Sequence, residues 1–136
     1  MCVRSPCALV ALTCVPGVVQ LLSKTLVGVL LVVAVKARLA SHVTEVQGTT
    51  AAVGVLGVMG NKGAASIRLR YDDRYAHVLA TAFVALLIAV AGGPRSTLCF
   101  VCSHLAAKRS HVVARNSDYA SILNKTAFVD SARAER

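Results

Sequence analysis

The chain has 136 residues, enough for one domain or a piece of one, and carries 15 Lys and Arg against 6 Asp and Glu, a formal net charge of +9. That balance favours polyanionic partners, but aromatic residues are only 4% and the basic residues are scattered, which argues against a base-stacking nucleic-acid surface. Hydrophobic residues make up 56% and mean hydropathy is +0.66; even so, the longest apolar run, Val78 to Ala91, has 14 residues where a membrane-spanning helix needs about 20.

Residues 1–23 show no hydrophobic period and hold two of the three prolines. One Arg precedes a short apolar stretch in the manner of a secretory leader, but no small-x-small cleavage site follows, and the segment has no assignment. Leu26 to Val35 (LVGVLLVVAV) is a continuous β-branched run, short for a helix, and predicts a strand buried on both faces. Lys36 to Gln47 is polar enough for a short helix or loop. Thr49 to Met59 predicts a second strand.

Ala64 to Tyr71 (AASIRLRY) alternates, with Ile67 and Leu69 on one face and Arg68 and Arg70 on the other, which predicts a half-buried strand with a basic outer face. Thr97 to Ser103 predicts another buried strand and a natural partner for it. Between them, Asp72 to Ser96 begins as a charged turn, becomes the apolar run and ends in Gly-Gly-Pro-Arg. Its lack of strand or amphipathic patterning marks about residues 74–95 as an insertion. Cys99 and Cys102 spell C-x-x-C, but residues three apart on a strand point to opposite faces, so neither a redox pair nor a shared metal is expected. The five cysteines are odd in number and read as small buried hydrophobes in a reducing compartment.

Arg109 to Asn124 has helical spacing. Val112, Asn116, Tyr119 and Leu123 fall on one face, with Arg115 about 60° to the side of Val112. The face expected to be buried therefore carries an Asn and has an Arg beside it, and something polar must lie opposite.

Two short motifs carry candidate chemistry. Gly57 to Gly63 (GVMGNKG) is neither a Walker-type loop, because Lys62 follows Asn61 rather than Gly, nor a dinucleotide fingerprint, because it leads into a strand. It reads either as a tight turn or as a turn that offers an amide and an ammonium to an anion. Ser103 to Ala107 (SHLAA) places His104 at a strand end, either satisfied by backbone or part of a site. Nothing acidic is placed to orient His104 for a Ser-His hydrolase, and no paired Cys/His spacing suggests zinc.

Taken together, TLVGVLLVVAVKARL, VGVLGVMGNKGAASIRLRY, TLCFVCSHLAA and ARNSDYASIL occur in an order that resembles the inositol polyphosphate 5-phosphatases of the endonuclease/exonuclease/phosphatase superfamily. The resemblance covers about residues 24–73 and 96–128. It implies an α/β (α+β) sandwich, an incomplete deoxyribonuclease-I-like fold of two facing sheets with outer helices. It further implies magnesium-dependent removal of the 5-phosphate from phosphoinositides or soluble inositol phosphates by an activated water. By the same resemblance, Asn61 and Lys62 contact the phosphate joining inositol to its lipid, and Val55, Leu56, Val58 and Met59 face acyl chains or the membrane. His104 sits near the scissile phosphate, and Arg115, Asn116, Asp118 and Tyr119 support the site from the helix behind it.

The sequence also departs from the family pattern. The family's second histidine after S-H-L-A-A is Lys108 here, and Val112, Val113 and Ala114 stand where acidic residues and an arginine are common. No G-D-x-N or D-H-x-P segment occurs, and the only glutamates are Glu45 and Glu135. A magnesium site generally needs one or two carboxylates. The expectation is a partial domain at 24–128, interrupted at about 74–95 and followed by a tail at 129–136, with substrate-side residues, no metal residues and no activity by itself. It is expected to be cytoplasmic and peripheral at membranes, binding phosphoinositide and anionic membrane but no nucleic acid. The alternatives are a non-catalytic phosphoinositide or anionic-membrane binder, a small membrane protein built around 78–91, and a mis-spliced product with unpaired sheet edges.

Overall fold

The computed structural model describes residues 15–54, 61–72, 85–90 and 96–129, with 85–90 described by backbone alone. Among these, six strands and one α-helix follow in chain order. They are β1 (Val18–Leu26), β2 (Val29–Lys36), a 3-10 turn (Ala37–His42), β3 (Val43–Ala52), β4 (Gly63–Tyr71), β5 (Ala85–Val90), β6 (Ser96–His104) and α1 (Val112–Lys125).

β1 and β2 form an antiparallel hairpin, and the other four strands form an antiparallel sheet in the order β3-β4-β6-β5. The hairpin packs on one face of the four-stranded sheet. Val29, Leu31 and Val33 of β2 meet Ala65, Ile67, Leu69 and Tyr71 of β4 and Leu98, Phe100 and Cys102 of β6 in a shared core. On the opposite face, Ile122 of α1 packs with Ala51 and Ala64. The result is a mixed α/β sandwich with an outer helix, as the family resemblance implies.

Several local expectations are corrected. The strand in LVGVLLVVAV begins only at Val29, because Val27 and Gly28 turn the chain out of β1, which starts at Val18 in the unassigned N-terminal stretch. β2 is not buried equally on both faces: Val29, Leu31 and Val33 are buried while Leu30, Val32 and Ala34 are only half-buried. A two-stranded sheet with the core on one side produces this alternation. The polar Lys36–Gln47 stretch is a 3-10 turn followed by the start of β3, which runs from Val43. A bulge between Thr44 and Gln47 puts Glu45 at φ +51 and turns its carboxylate to the Arg70 guanidinium. Residues 85–90, inside the unpatterned run, pair with β6 from Ala85↔Cys102 to Val90↔Thr97, so that part of the run is an edge strand. Among the described residues no helix is long and apolar enough to cross a membrane.

β4 alternates as its sequence predicts, with Ile67 and Leu69 in the core and Arg68 and Arg70 on the other face. That basic face is not open, however. Arg70 pairs with Glu45, and Arg68 lies 5.2 Å from the Phe128 ring centroid and donates to the Val129 carbonyl at 3.2 Å. Gln47 donates to the same carbonyl at 2.8 Å, so the segment leaving α1 is strapped across this face. Cys99 and Cys102 point to opposite faces of β6 as expected, Cys99 half-buried and Cys102 buried.

Candidate functional site

The site lies where β3, β4 and β6 end together. Gly63, the first residue of β4, is registered against both Ala52 of β3 and His104, the last residue of β6. The Asn61-Lys62 turn enters β4 there, and the Val53 amide donates to the Lys62 carbonyl at 2.9 Å. Gly63 has φ +147, and a side chain on it would run into the carbonyl oxygen of Ala51 and the methyl of Leu26. Only glycine lets the turn close this tightly on β3.

This geometry joins two residues singled out separately in the sequence. The Lys62 ammonium lies 3.1 Å from Nε2 of His104, across 42 residues of chain. An ammonium has only donors, so Nε2 accepts and the ring proton is carried on Nδ1. His104 is exposed and Lys62 half-buried, so the pair faces solvent. On the other side of the imidazole is the β1–β2 turn, where a Cβ on Gly28 (φ +77) would sit 3.8 Å from Nδ1. The sequence alone does not bring this turn beside His104; the Val-Gly pair inside an otherwise unbroken β-branched run is the signal that a turn stands there.

The loop after His104 is pinned by α1. The Asp118 carboxylate accepts from the Ala106 amide at 2.8 Å. The Arg115 guanidinium donates to the carbonyls of Ala106 at 3.4 Å, Lys108 at 2.5 Å and Arg109 at 3.3 Å. Lys108 stands in the left-handed region at φ +73, and its carbonyl also accepts from the His111 amide at 3.2 Å. The inner face of the helix is thus Arg115, Asp118 and Ile122, which corrects the expected one. Val112, Tyr119 and Leu123 are each about half exposed, and Asn116 is exposed. The polar groups turned inward meet backbone of the loop. Of the four residues implied to support the site, Arg115 and Asp118 touch the loop beyond His104, while Asn116 and Tyr119 face outward. Asn61 is exposed at the turn. Val55, Leu56, Val58 and Met59 lie outside the described residues.

Neither Lys62 nor His104 has an acidic neighbour among the contacts described, and the described carboxylates are engaged elsewhere: Glu45 with Arg70, Asp118 with Ala106, and Asp72 in an interaction of its own. Among the described residues no three His, Cys, Asp or Glu side chains gather as a metal centre needs. They do not fit a magnesium ion. What they do offer is a solvent-facing ammonium beside an imidazole, and the ammonium has donors to spare for phosphoryl oxygens.

Comparison with known proteins supplies the family. Residues 17–136 match Endonuclease/Exonuclease/phosphatase family 2, and the chain belongs to that family. Among the proteins it resembles are some named as inositol polyphosphate 5-phosphatases. It is 32% identical over 115 residues to type IV inositol polyphosphate 5-phosphatase 3 of Arabidopsis thaliana, covering 83% of this chain and 14% of that protein. Over 110 residues it is 34% identical to human synaptojanin-1, covering 81% of this chain and 6% of that protein. Over 94 residues it is 40% identical to the polyphosphatidylinositol phosphatase INP53 of Saccharomyces cerevisiae, covering 69% of this chain and 6% of that protein. The chain therefore spans a small part of the length of these relatives.

Proposed function

We propose that this chain forms the phosphate-facing rim of an inositol polyphosphate 5-phosphatase domain, in which Lys62 and His104 together bind one phosphate of a phosphoinositide or soluble inositol phosphate. The observation that carries this reading is the 3.1 Å approach of Lys62 Nζ to His104 Nε2 at the joined ends of β4 and β6. Homology to enzymes named for inositol phosphates and phosphoinositides supplies the ligand class. A bound phosphate inserts its oxygens between the two side chains, taking donated hydrogen bonds from the Lys62 ammonium and, once protonated, from His104 Nε2. Asn61 adds an amide at the rim, and Arg115 and Asp118 hold the backbone beyond His104 in place.

The magnesium that the family resemblance implies would supply activation of water, and among the described residues no set of ligands gathers to hold it. The described residues of this chain do not carry that chemistry, since their carboxylates serve structural contacts. We propose binding, not hydrolysis, for the chain by itself, on the ground that no G-D-x-N or D-H-x-P segment occurs in its sequence. We place it at the cytoplasmic surface of a membrane rich in anionic lipid. The test is calorimetric titration of the full chain with soluble inositol trisphosphate. Lys62→Ala is expected to weaken binding roughly tenfold or more, the worth of one charge-assisted hydrogen bond. Equal affinity in the variant and its parent would remove Lys62 from the site, and no binding by the parent would remove the reading itself.

A further inference from the structure

We propose that Val27, at the tip of the β1–β2 hairpin, is a membrane contact that inserts into an anionic lipid surface while Lys62 and His104 meet the head groups; this rests on the reading of that pair as an anion site. Turn chemistry makes Val27 conspicuous. The two residues between paired strands are usually drawn from Gly, Asn, Asp and Pro, and Gly28 follows that rule with φ +77. Val27 does not. A β-branched apolar side chain stands there 70% exposed, where a polar one would meet the solvent better.

The tip is also fixed in place beside the cations. A Cβ on Gly28 would be in ordinary van der Waals contact with His104 Nδ1, and Leu26, the last residue of β1, packs against Gly63 at the start of β4. The hairpin is therefore braced on both sides of Val27 by the residues that define the phosphate site. An apolar projection held next to an ammonium and an imidazole matches the charge layout of an anionic bilayer, where head-group phosphates lie above hydrocarbon. The net charge of +9 acts in the same direction. A soluble inositol phosphate offers nothing for Val27 to touch, so this residue separates lipid from free head group as the source of the phosphate.

The experiment is co-sedimentation of the full chain with phosphatidylcholine vesicles containing roughly one part in five phosphatidylserine, beside titration with soluble inositol trisphosphate. Val27 is largely exposed, so thermal unfolding of Val27→Asn should stay close to that of the parent. Its vesicle partitioning is expected to fall about tenfold, the effect of withdrawing one buried valine side chain, with trisphosphate affinity unchanged. Val27→Leu should partition as well as the parent or better. The inference is overturned if Val27→Asn sediments as the parent does, or if the parent binds pure phosphatidylcholine equally well. In either case a loss of trisphosphate binding on Lys62→Ala would still uphold the phosphate site. A parent that binds neither vesicles nor trisphosphate sinks both readings.

Discussion

Lys62 and His104 lie 42 positions apart in the chain and 3.1 Å apart in space, because Gly63 is registered directly against His104 in the β4–β6 ladder. The contact fixes the histidine tautomer, since the ammonium can only donate and Nε2 must accept. In nitrogen-15 spectra of the full chain, His104 is expected to show its proton on Nδ1. Lys62→Met removes the donor and should shift the ring toward the mixture of tautomers typical of a free imidazole. Spectra unchanged by that substitution would mean that the two side chains do not interact in solution.

Gly63 and Gly28 both hold positive φ, but their surroundings differ, and so should their sensitivity to alanine. At Gly28 the nearest atom to an added Cβ is 3.8 Å away, leaving only the backbone penalty, about 1 kcal/mol. At Gly63 an added Cβ collides with the Ala51 backbone as well, and β3 cannot retreat without opening its ladder to β4. Gly63→Ala should cost about 3 kcal/mol or more. Urea unfolding of the two variants measures the difference; comparable losses would show that the β3–β4 approach is looser than its geometry.

Arg115 and Asp118 grip the loop after His104 from the helix, one through carbonyls and the other through the Ala106 amide. Asp118→Ala leaves that amide without its acceptor, and Arg115→Ala releases the carbonyls that hold Lys108 in its left-handed conformation. Each is expected to lower stability by about 1–2 kcal/mol. Amide hydrogen exchange should locate the effect: Ala106 exchanges faster in Asp118→Ala, while amides at the centre of β4 keep the parent's protection relative to global stability. Uniform acceleration throughout the sheet would assign these residues to general packing.

How much of this was legible in the sequence depended on whether polarity followed exposure. In β4 it did: Ile67 and Leu69 alternate with Arg68 and Arg70, and both face and pairing could be read. In α1 it did not. Arg115 and Asp118 turn inward to bind backbone, leaving Val112 and Leu123 about half exposed, so a hydropathy reading rotates the helix to the wrong face. β1 was hidden by the register shift between Gln20 and Leu22, which breaks its period, and β5 by a run so uniformly apolar that it has none. The residues of the candidate site were readable as motifs, but their meeting was not, because the Lys62–His104 contact depends on strand register that neither motif encodes alone.

The two thiols of β6 give the stability a pH dependence of known sign. Burial pushes the Cys99 thiol above its ordinary value of 9.0, only partly offset by the nearby Arg68 guanidinium, and burial raises Cys102 likewise. The folded chain therefore keeps protons that the unfolded chain releases once pH passes 9.0. Stability from this source is complete below that pH and declines as pH rises through the folded values. Thermal unfolding should show a falling midpoint across this alkaline range. Other groups also titrate there, so the comparison that isolates the thiols is with Cys99→Ala/Cys102→Ala, which should start less stable at neutral pH but descend less steeply. Parallel descents would mean that the β6 thiols ionise as freely in the fold as outside it.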